Sequence, residues 1–308
     1  MEPFERILSG IPSLDTLLDY MRIGDNVVFQ VSSIDEYTFF VDRFVSQAKK
    51  DKRKLVYIRF AQHKPLVSTS DATRYILNPD NGFEPFTVSV HNIIKKEGES
   101  AFYVFDCLSE LQGAWAADLM MGNFFRVTCP FLFKLNTVAF FPVMRGDHSF
   151  DALARIRETT QLFLDVYSHD DKIYLHPIKV WNRYSPTMFM PHFSKKTDIS
   201  FSPLTDAVGI SGYYSLVSTF GTNEDQNFDS WERFFQKSRL AGANEDKKVA
   251  SDLCHMMMTA DEKIGNLFAR FYSKEDYYQV KERMIGTGRV GGKSCGMLLA
   301  RSIIKQRL

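Results

Sequence analysis

Residues 24–41 decide the fold, and they read GDNVVFQVSSIDEYTFFV. The apolar run over residues 25–31 predicts a β-strand, and the apolar positions of residues 38–49 recur at the spacing of a helix. The more polar residues 31–38 between them predict a loop. A strand that runs through a loop into a helix is the arrangement in which many proteins bind a nucleotide.

The loop itself departs from a phosphate-binding sequence. A phosphate loop follows the pattern GxxxxGK[ST], in which backbone amides and a lysine face the phosphates and the hydroxyl holds magnesium. Here Asp35, Glu36 and Tyr37 stand in that loop, and only Thr38 matches the pattern. Each carboxylate would repel a triphosphate by about 1 to 4 kcal/mol per charge pair at contact distance. The sequence therefore predicts that ordinary phosphate binding is lost, with Thr38 as a vestigial contact.

The flanking sequence alternates between apolar runs, which predict strands, and segments with helical spacing. The predicted strands are residues 55–60, 101–105, 137–143, 162–167 and 172–180, and the predicted helices are residues 7–20, 70–77, 115–127 and 151–164. This order favours a mostly parallel sheet flanked by helices. We therefore predict an α/β domain over residues 1–200.

The character of the chain changes after Gly221. Residues 201–225 are predicted to be a connector, which overlaps a loose segment with proline and serine over residues 194–218. Residues 226–285 repeat apolar side chains at helical spacing, which predicts a mainly helical region. Residues 286–308 contain a glycine-rich turn followed by a basic amphipathic helix.

Composition narrows the range of partners. The chain has 308 residues and a net charge of +1, without a basic stripe flanked by aromatic residues, which disfavours nucleic acid. Four scattered cysteines form no CxxC pair, as is typical of a reduced cytoplasmic protein. No apolar run approaches the roughly 20 residues that span a bilayer, and the N-terminus lacks a signal peptide's basic residues. The seven histidines lack metal-binding spacing, so we expect no metal site, no membrane and no nucleic acid.

Over residues 7–192 the chain resembles the KaiC branch of the RecA-like ATPases. The similar segments are SGIPSLDTLLD at residues 9–19, GDNVVFQV at residues 24–31, AFYVFDCLSEL at residues 101–111 and KVWNRYSP at residues 179–186. The resemblance implies a RecA-like sheet and places Asp106 at the end of the Walker B strand, as a candidate magnesium ligand. Relatives in this family assemble as rings with ATP between subunits, so self-association is an open alternative.

The departures from that family affect its chemistry. Tyr37 stands where the family has its phosphate lysine, and Glu36 stands where it has the preceding glycine. Ala61 and Gln62 stand in place of the paired catalytic glutamates; alanine cannot act as a general base and glutamine is a poor one. Asp106 then either binds magnesium or only ends its strand and caps the next turn. The resemblance implies a pseudo-ATPase with no catalytic residue.

The glycine-rich turn carries a second resemblance. GRVGGKSCGMLLA at residues 288–300 is similar to the opening GGK motif of the nucleotide-binding domain in phosphoenolpyruvate synthase and pyruvate phosphate dikinase. In that family the lysine contributes to the ATP phosphate site. The resemblance therefore implies that Lys293, with Gly291, Gly292 and Ser294, contacts ATP in a full-length enzyme that uses ATP and Mg²⁺.

Two explanations fit this C-terminal motif. Either the chain is the N-terminal piece of a longer phosphotransferase, whose ATP-grasp and phosphotransferase domains are its partners, or the motif is a coincidence at the end of a complete chain. The first explanation makes the chain a non-catalytic regulatory or scaffolding module without a cofactor of its own. The alternative function is a stand-alone KaiC-like regulatory nucleotide-binding protein, or an ATPase with a non-standard phosphate loop.

Overall fold

The computed structural model describes residues 5–115, 118–220, 228, 230–240 and 246–307. Its strands are β1 (Arg6–Ile7), β2 (Met21–Arg22), β3 (Asn26–Val31), β4 (Leu55–Arg59), β5 (Thr73–Ile76), β6 (Phe102–Phe105), β7 (Val138–Met144), β8 (Leu162–His169), β9 (Lys172–Val180), β10 (His192–Lys195) and β11 (Ser202–Pro203). Its helices are α1 (Pro12–Leu17), α2 (Ile34–Lys50), α3 (Phe83–Glu97), α4 (Gln112–Trp115), α5 (Asp118–Lys134), α6 (Phe150–Thr159), α7 (Ala207–Phe220), α8 (Ser230–Leu240), α9 (Asp246–Met257), α10 (Glu262–Phe271), α11 (Lys274–Lys281) and α12 (Gly292–Arg307).

A nine-stranded sheet forms the centre of the fold, in the order β11-β10-β9-β8-β3-β7-β6-β4-β5. The strands from β8 to β5 pair in parallel, whereas β9, β10 and β11 are added antiparallel at one edge. Strand β3 is central, with β7 on one side and β8 on the other. The predicted α/β fold with a mostly parallel sheet is confirmed.

The central strands form because their sequences are apolar on both faces. All four residues of β6, FYVF, are buried, and six of the seven residues of β7 are buried. A strand of a parallel sheet is covered by helices on both faces, so it needs a continuous apolar run rather than an alternating one. Helix α2 packs Phe40, Val41 and Phe44 into the same core.

The chain divides into two compact units. The α/β unit comprises residues 1–114 and 119–227, and the helical unit comprises residues 115–118 and 228–308. The helical unit has its own apolar core, which includes Trp231, Leu253 and Phe268. Within the described ranges, no helix combines the length and the apolar character needed to cross a membrane.

Helix α2 begins at Ile34, earlier than the predicted start at residue 38. The predicted loop over residues 31–38 is therefore mostly the first turn of the helix. Ser33 caps this turn, and Asp35 and Glu36 are its acidic residues. Acidic side chains stabilise the first turn of a helix because the helix dipole is positive there.

A second correction concerns residues 70–77, which were predicted to be a helix. The structure has strand β5 in this segment, paired in parallel with β4. The next helix, α3, was not predicted because prolines seemed to interrupt the segment. Pro85, however, is the third residue of α3, and proline is tolerated in the first turn, where the backbone N–H has no partner in the helix.

The predicted connector over residues 201–225 contains regular structure. Strand β11 pairs antiparallel with β10, and helix α7 runs to Phe220. Tyr213 and Leu216 of this helix are buried in a cluster with Tyr167 of β8. Residues 221–225 lie outside the described residues. The expectation of a loose segment is thus wrong for the described part, because apolar side chains of α7 pack onto the sheet.

Candidate functional site

The candidate site lies at the carboxyl end of strand β3, where the chain enters helix α2. Ser32 and Ser33 make this turn, and Ser33 forms a capping box with Glu36. The Glu36 carboxylate accepts the backbone N–H of Ser32 at 2.7 Å and that of Ser33 at 3.4 Å. A side-chain acceptor is favoured there because the first N–H groups of a helix have no partner within the helix.

This carboxylate lies in the segment where a phosphate loop would bind its ligand. Nucleotide-binding proteins bind phosphate with free backbone amides at the start of a helix. Here the buried Glu36 accepts the amides of the two residues that precede helix α2. Burial raises the pKa of Glu36, and the amides of Ser32 and Ser33 and the charge of Arg145 oppose that rise. The turn therefore already holds an anion, which is the protein's own carboxyl group.

Arg145, which follows strand β7, contacts both the turn before α2 and strand β8. Its guanidinium lies 2.5 Å from the Asp165 carboxylate. It also donates to the carbonyl of Val166 at 2.7 Å, to the Tyr167 hydroxyl at 3.0 Å and to Ser32 Oγ at 3.2 Å. The arginine side chain is only 6% exposed. Its charge is therefore committed to residues of the α/β unit and is not presented to a ligand.

The two residues after Glu36 are also turned inward. The Tyr37 side chain is completely buried and packs against Phe29, with ring centroids 5.5 Å apart. Burial raises the pKa of Tyr37 well above its ordinary value. The hydroxyl of Thr38 donates to the carbonyl of Ile34 at 2.9 Å, within helix α2. The predicted vestigial contact, Thr38, is thus engaged by its own helix.

Asp106 lies directly after β6 and is completely buried. Its Oδ2 accepts hydrogen bonds from the Arg59 guanidinium at 2.7 Å and from the backbone N–H groups of Phe60 and Ala61, both at 2.9 Å. Its Oδ1 accepts a hydrogen bond from the Tyr57 hydroxyl. These contacts occupy both oxygens and fasten the segment that follows β4. In this arrangement both oxygens of Asp106 are engaged within the α/β unit.

The segment after β4 has no carboxylate at the positions of the family's catalytic glutamates. Ala61 is buried and Gln62 is exposed, and the backbone N–H of Gln62 donates to Glu110 at 2.6 Å. His63 Nε2 accepts the backbone N–H of Cys107 at 3.2 Å, so the ring proton lies on Nδ1. The contacts here connect two loops at the carboxyl edge of the sheet.

Sequence reasoning did not identify a buried contact between a serine and a histidine. Ser109 Oγ lies 2.7 Å from His148 Nε2 and accepts the backbone N–H of Met144 at 2.7 Å. The Gln112 amide nitrogen donates to the carbonyl of Asp147 at 3.1 Å and lies 2.6 Å from His148 Nδ1. These contacts join Ser109, Gln112 and His148 and fasten the loop after β7.

The predicted ATP-phosphate residues lie in the helical unit, at the start of α12. They are contiguous and exposed: Gly291, Gly292, Lys293 and Ser294. A Cβ atom added at either glycine would meet nothing within 4 Å. Just before them, the backbone N–H of Val290 donates to the carbonyl of Met257 at 2.8 Å, which fastens this turn to the end of α9. The backbone at this helix start is thus open to a ligand.

The predicted site residues therefore fall into two separate groups. Thr38 and Asp106 belong to the α/β unit, and the Lys293 group belongs to the helical unit. In the part of the chain that the structure describes, no three histidine, cysteine, aspartate or glutamate side chains could together hold a metal ion.

Replacing Glu36 with glutamine is expected to raise the stability of the variant relative to the wild type progressively as pH increases. A buried carboxyl whose pKa is raised binds protons more readily in the folded chain than in the unfolded chain. Its contribution to the free energy of unfolding therefore falls as pH rises from the ordinary value of 4.5 through the raised pKa. Urea denaturation at pH values on both sides of 4.5 measures this difference.

The control is Asp35→Asn, in the same turn, because the Asp35 side chain is exposed. A difference between Glu36→Gln and the wild type that stays flat across this pH range would contradict the burial of a titrating carboxyl at the turn.

No protein-family model matches the sequence, and no curated protein matches it either. The two motif resemblances therefore remain hypotheses about the family of this chain.

Proposed function

We propose that the α/β unit is a non-catalytic, RecA-like module of the KaiC type. In this proposal it regulates or scaffolds an ATP-dependent phosphotransferase related to phosphoenolpyruvate synthase and pyruvate phosphate dikinase. The observation that carries the proposal is the contact of the Glu36 carboxylate with the amides of Ser32 and Ser33. A pocket whose amides hold a carboxylate of the same chain has no place for a nucleotide phosphate.

Two further positions support the absence of catalysis. Asp106 uses both oxygens for contacts within the unit, so magnesium would have to displace the charge of Arg59. Hydrolysis also needs a base that activates water, and Ala61 and Gln62 cannot supply one. Electrostatic stabilisation of a transferring phosphoryl group depends on such preorganised charges. The α/β unit lacks them at the positions where its motifs would place them.

The connection to a phosphotransferase rests on the start of α12. The exposed Lys293 follows two glycines whose backbone is unobstructed. A lysine and free amides at a helix start suit a phosphate group. In a full-length enzyme, Lys293, Gly291, Gly292 and Ser294 would hold the phosphates of ATP, and ATP with Mg²⁺ would supply the phosphoryl group. Downstream ATP-grasp and phosphotransferase domains would then be the partners of this chain.

Hydrogen–deuterium exchange of the full chain, with and without magnesium ATP, tests the proposal. We expect unchanged exchange in residues 31–41 and 101–111 and no release of inorganic phosphate, because the amides of the α/β site are already hydrogen-bonded. A ligand at a hundred times its Kd stabilises the folded state by about 2.7 kcal/mol, which would be visible as protection at the site.

Two outcomes discriminate the candidates. Protection of residues 31–41 together with phosphate release would overturn the pseudo-ATPase proposal and favour a stand-alone KaiC-like ATPase. Protection confined to residues 286–296, and lost in Lys293→Gln, would support the role proposed for Lys293. Residue Lys263, exposed on α10, provides the matched control variant Lys263→Gln.

A further inference from the structure

Positive charge is concentrated at the C-terminal end of the sequence. Residues 283–308 contain six basic residues and no acidic residue, in a chain whose net charge is +1. Such an asymmetry between parts of a chain indicates a local anionic partner rather than a global field. The structure of the helical unit shows where part of this positive charge is concentrated.

A groove between α11 and α12 collects three of these cations. Its cavity measures about 60 Å³, and Arg283, Arg301 and Lys305 are among the nine residues that line it. Arg301 and Lys305 are four positions apart on α12, so they lie on one face of the helix. Arg283 approaches from the segment that follows α11. Burial raises the pKa of Tyr272, another lining residue, the Asp276 carboxylate adds to that rise, and the Arg301 guanidinium opposes it.

These cations are not neutralised by the protein. Elsewhere in the helical unit, Lys274 pairs with Asp246 at 3.2 Å. The side chains of Arg283, Arg301 and Lys305 make no hydrogen bond or ion pair with any residue that the structure describes. Like charges four residues apart repel each other and destabilise a helix. A bound anion would remove that repulsion.

The single carboxylate among the lining residues, Asp276, has a separate role. Its Oδ2 accepts the backbone N–H and the hydroxyl of Ser273, both at 2.8 Å, and this caps helix α11. The remaining polar side chain with free donors is Gln279, which is exposed. The groove therefore offers three cationic donors and one amide donor, a set that suits phosphate oxygens.

The groove is distinct from the start of α12. Arg301 and Lys305 lie eight and twelve residues after Lys293, which corresponds to about 12 and 18 Å along the helix axis. A phosphate held at the first turn of α12 would therefore not reach the far end of the groove.

We propose that the groove between α11 and α12 binds a short oligophosphate anion through Arg283, Arg301 and Lys305. The shared chemistry is a chain of phosphate groups, which occurs free or at the end of a nucleotide. The short row of cations suits a short anion and not a long polyanion.

Isothermal titration calorimetry of the full chain with inorganic triphosphate tests this proposal. We expect binding at the groove with an affinity that falls as salt is raised, since the contacts are ionic. Arg301→Gln/Lys305→Gln should weaken binding at least about tenfold, because each charge-assisted hydrogen bond contributes roughly that factor or more. Lys263→Gln should bind like the wild type. Both cations are exposed, and far-ultraviolet circular dichroism checks that the variants stay folded.

Further variants and a competing ligand distinguish this site from the one proposed at Lys293. In a Lys293→Gln background, which removes the lysine at the start of α12, Arg301→Gln/Lys305→Gln should still weaken triphosphate binding at least about tenfold; loss of all binding in Lys293→Gln alone, with the double variant binding like the wild type, would overturn the groove as the site. ATP without magnesium should compete with triphosphate if the source is a nucleotide, and should fail to compete if the groove selects the free anion. If triphosphate gives no heat of binding, or if only a single-stranded oligonucleotide binds, the groove proposal is overturned. Either result leaves the pseudo-ATPase proposal for the α/β unit unaffected.

Discussion

Replacing Asp106 with alanine is expected to lower the free energy of unfolding by about 3 to 5 kcal/mol, the usual effect of removing one partner of a buried ion pair. The substitution would leave the Arg59 guanidinium without its carboxylate, which lies 2.7 Å away. It would also leave the backbone N–H groups of Phe60 and Ala61 without an acceptor. Urea denaturation followed by circular dichroism measures the change.

Asp71→Ala provides the matched control. Asp71 pairs with Lys49 at 2.5 Å, but the lysine side chain is 54% exposed, and exposed pairs contribute about 0 to 1 kcal/mol. If Asp106→Ala costs no more than this control, Asp106 does not organise the segment after β4. Its role as a candidate magnesium ligand would then have to be reconsidered.

Replacing Arg183 with alanine is expected to cost a similar amount, about 3 to 5 kcal/mol. The Arg183 guanidinium donates to both oxygens of Asp25, at 2.6 and 2.9 Å, and to the carbonyl of Tyr20 at 2.7 Å. The arginine side chain is 0% exposed and that of Asp25 is 3% exposed. Removing this arginine leaves the buried carboxylate of Asp25, at the start of the central strand β3, without its cation.

The pH dependence of this loss identifies its cause. Burial raises the pKa of Asp25, and Arg183 opposes that rise, so the carboxyl of the variant should protonate more readily. The deficit of Arg183→Ala should therefore shrink as pH falls through the raised pKa, because a neutral carboxyl needs no cation. Asp25→Ala/Arg183→Ala should cost less than the sum of the two single variants. Glu282→Ala, which removes an exposed pair 3.7 Å apart, is the control; an equal cost would contradict the argument.

The central strands of the sheet were predictable because their sequences are nearly continuous apolar runs. Strands β3, β4, β6 and β7 lie where the sequence predicted them, within a residue or two at their ends. Strand β5 was not predictable, since its four residues, TRYI, are mostly exposed. Pairing with β4 decides their conformation, and strand preference depends on such neighbours.

The site was predictable only in part. The loss of the phosphate loop follows from residues 35–37, but the function of Glu36 does not follow from its charge alone. The spacing of Ser33 and Glu36 is a capping-box signal that could have revealed the earlier start of α2. Arg145, by contrast, reaches Ser32 from 113 positions away, and Ser109 meets His148 from 39 positions away. Contacts at such separations depend on the order of strands in the sheet, which local patterns do not contain.

That strand order has a consequence for how the chain folds as it is synthesised. Strand β3 is made early, but its neighbours in the sheet are β7 and β8, so Val27 pairs with Phe140 and with Leu162. Until these residues have left the ribosome, the central strand of the sheet has both edges open. Loop closure over such distances is slow, and exposed strand edges favour aggregation. The nascent chain is therefore expected to depend on a chaperone, or on slow translation, until its central strand is enclosed.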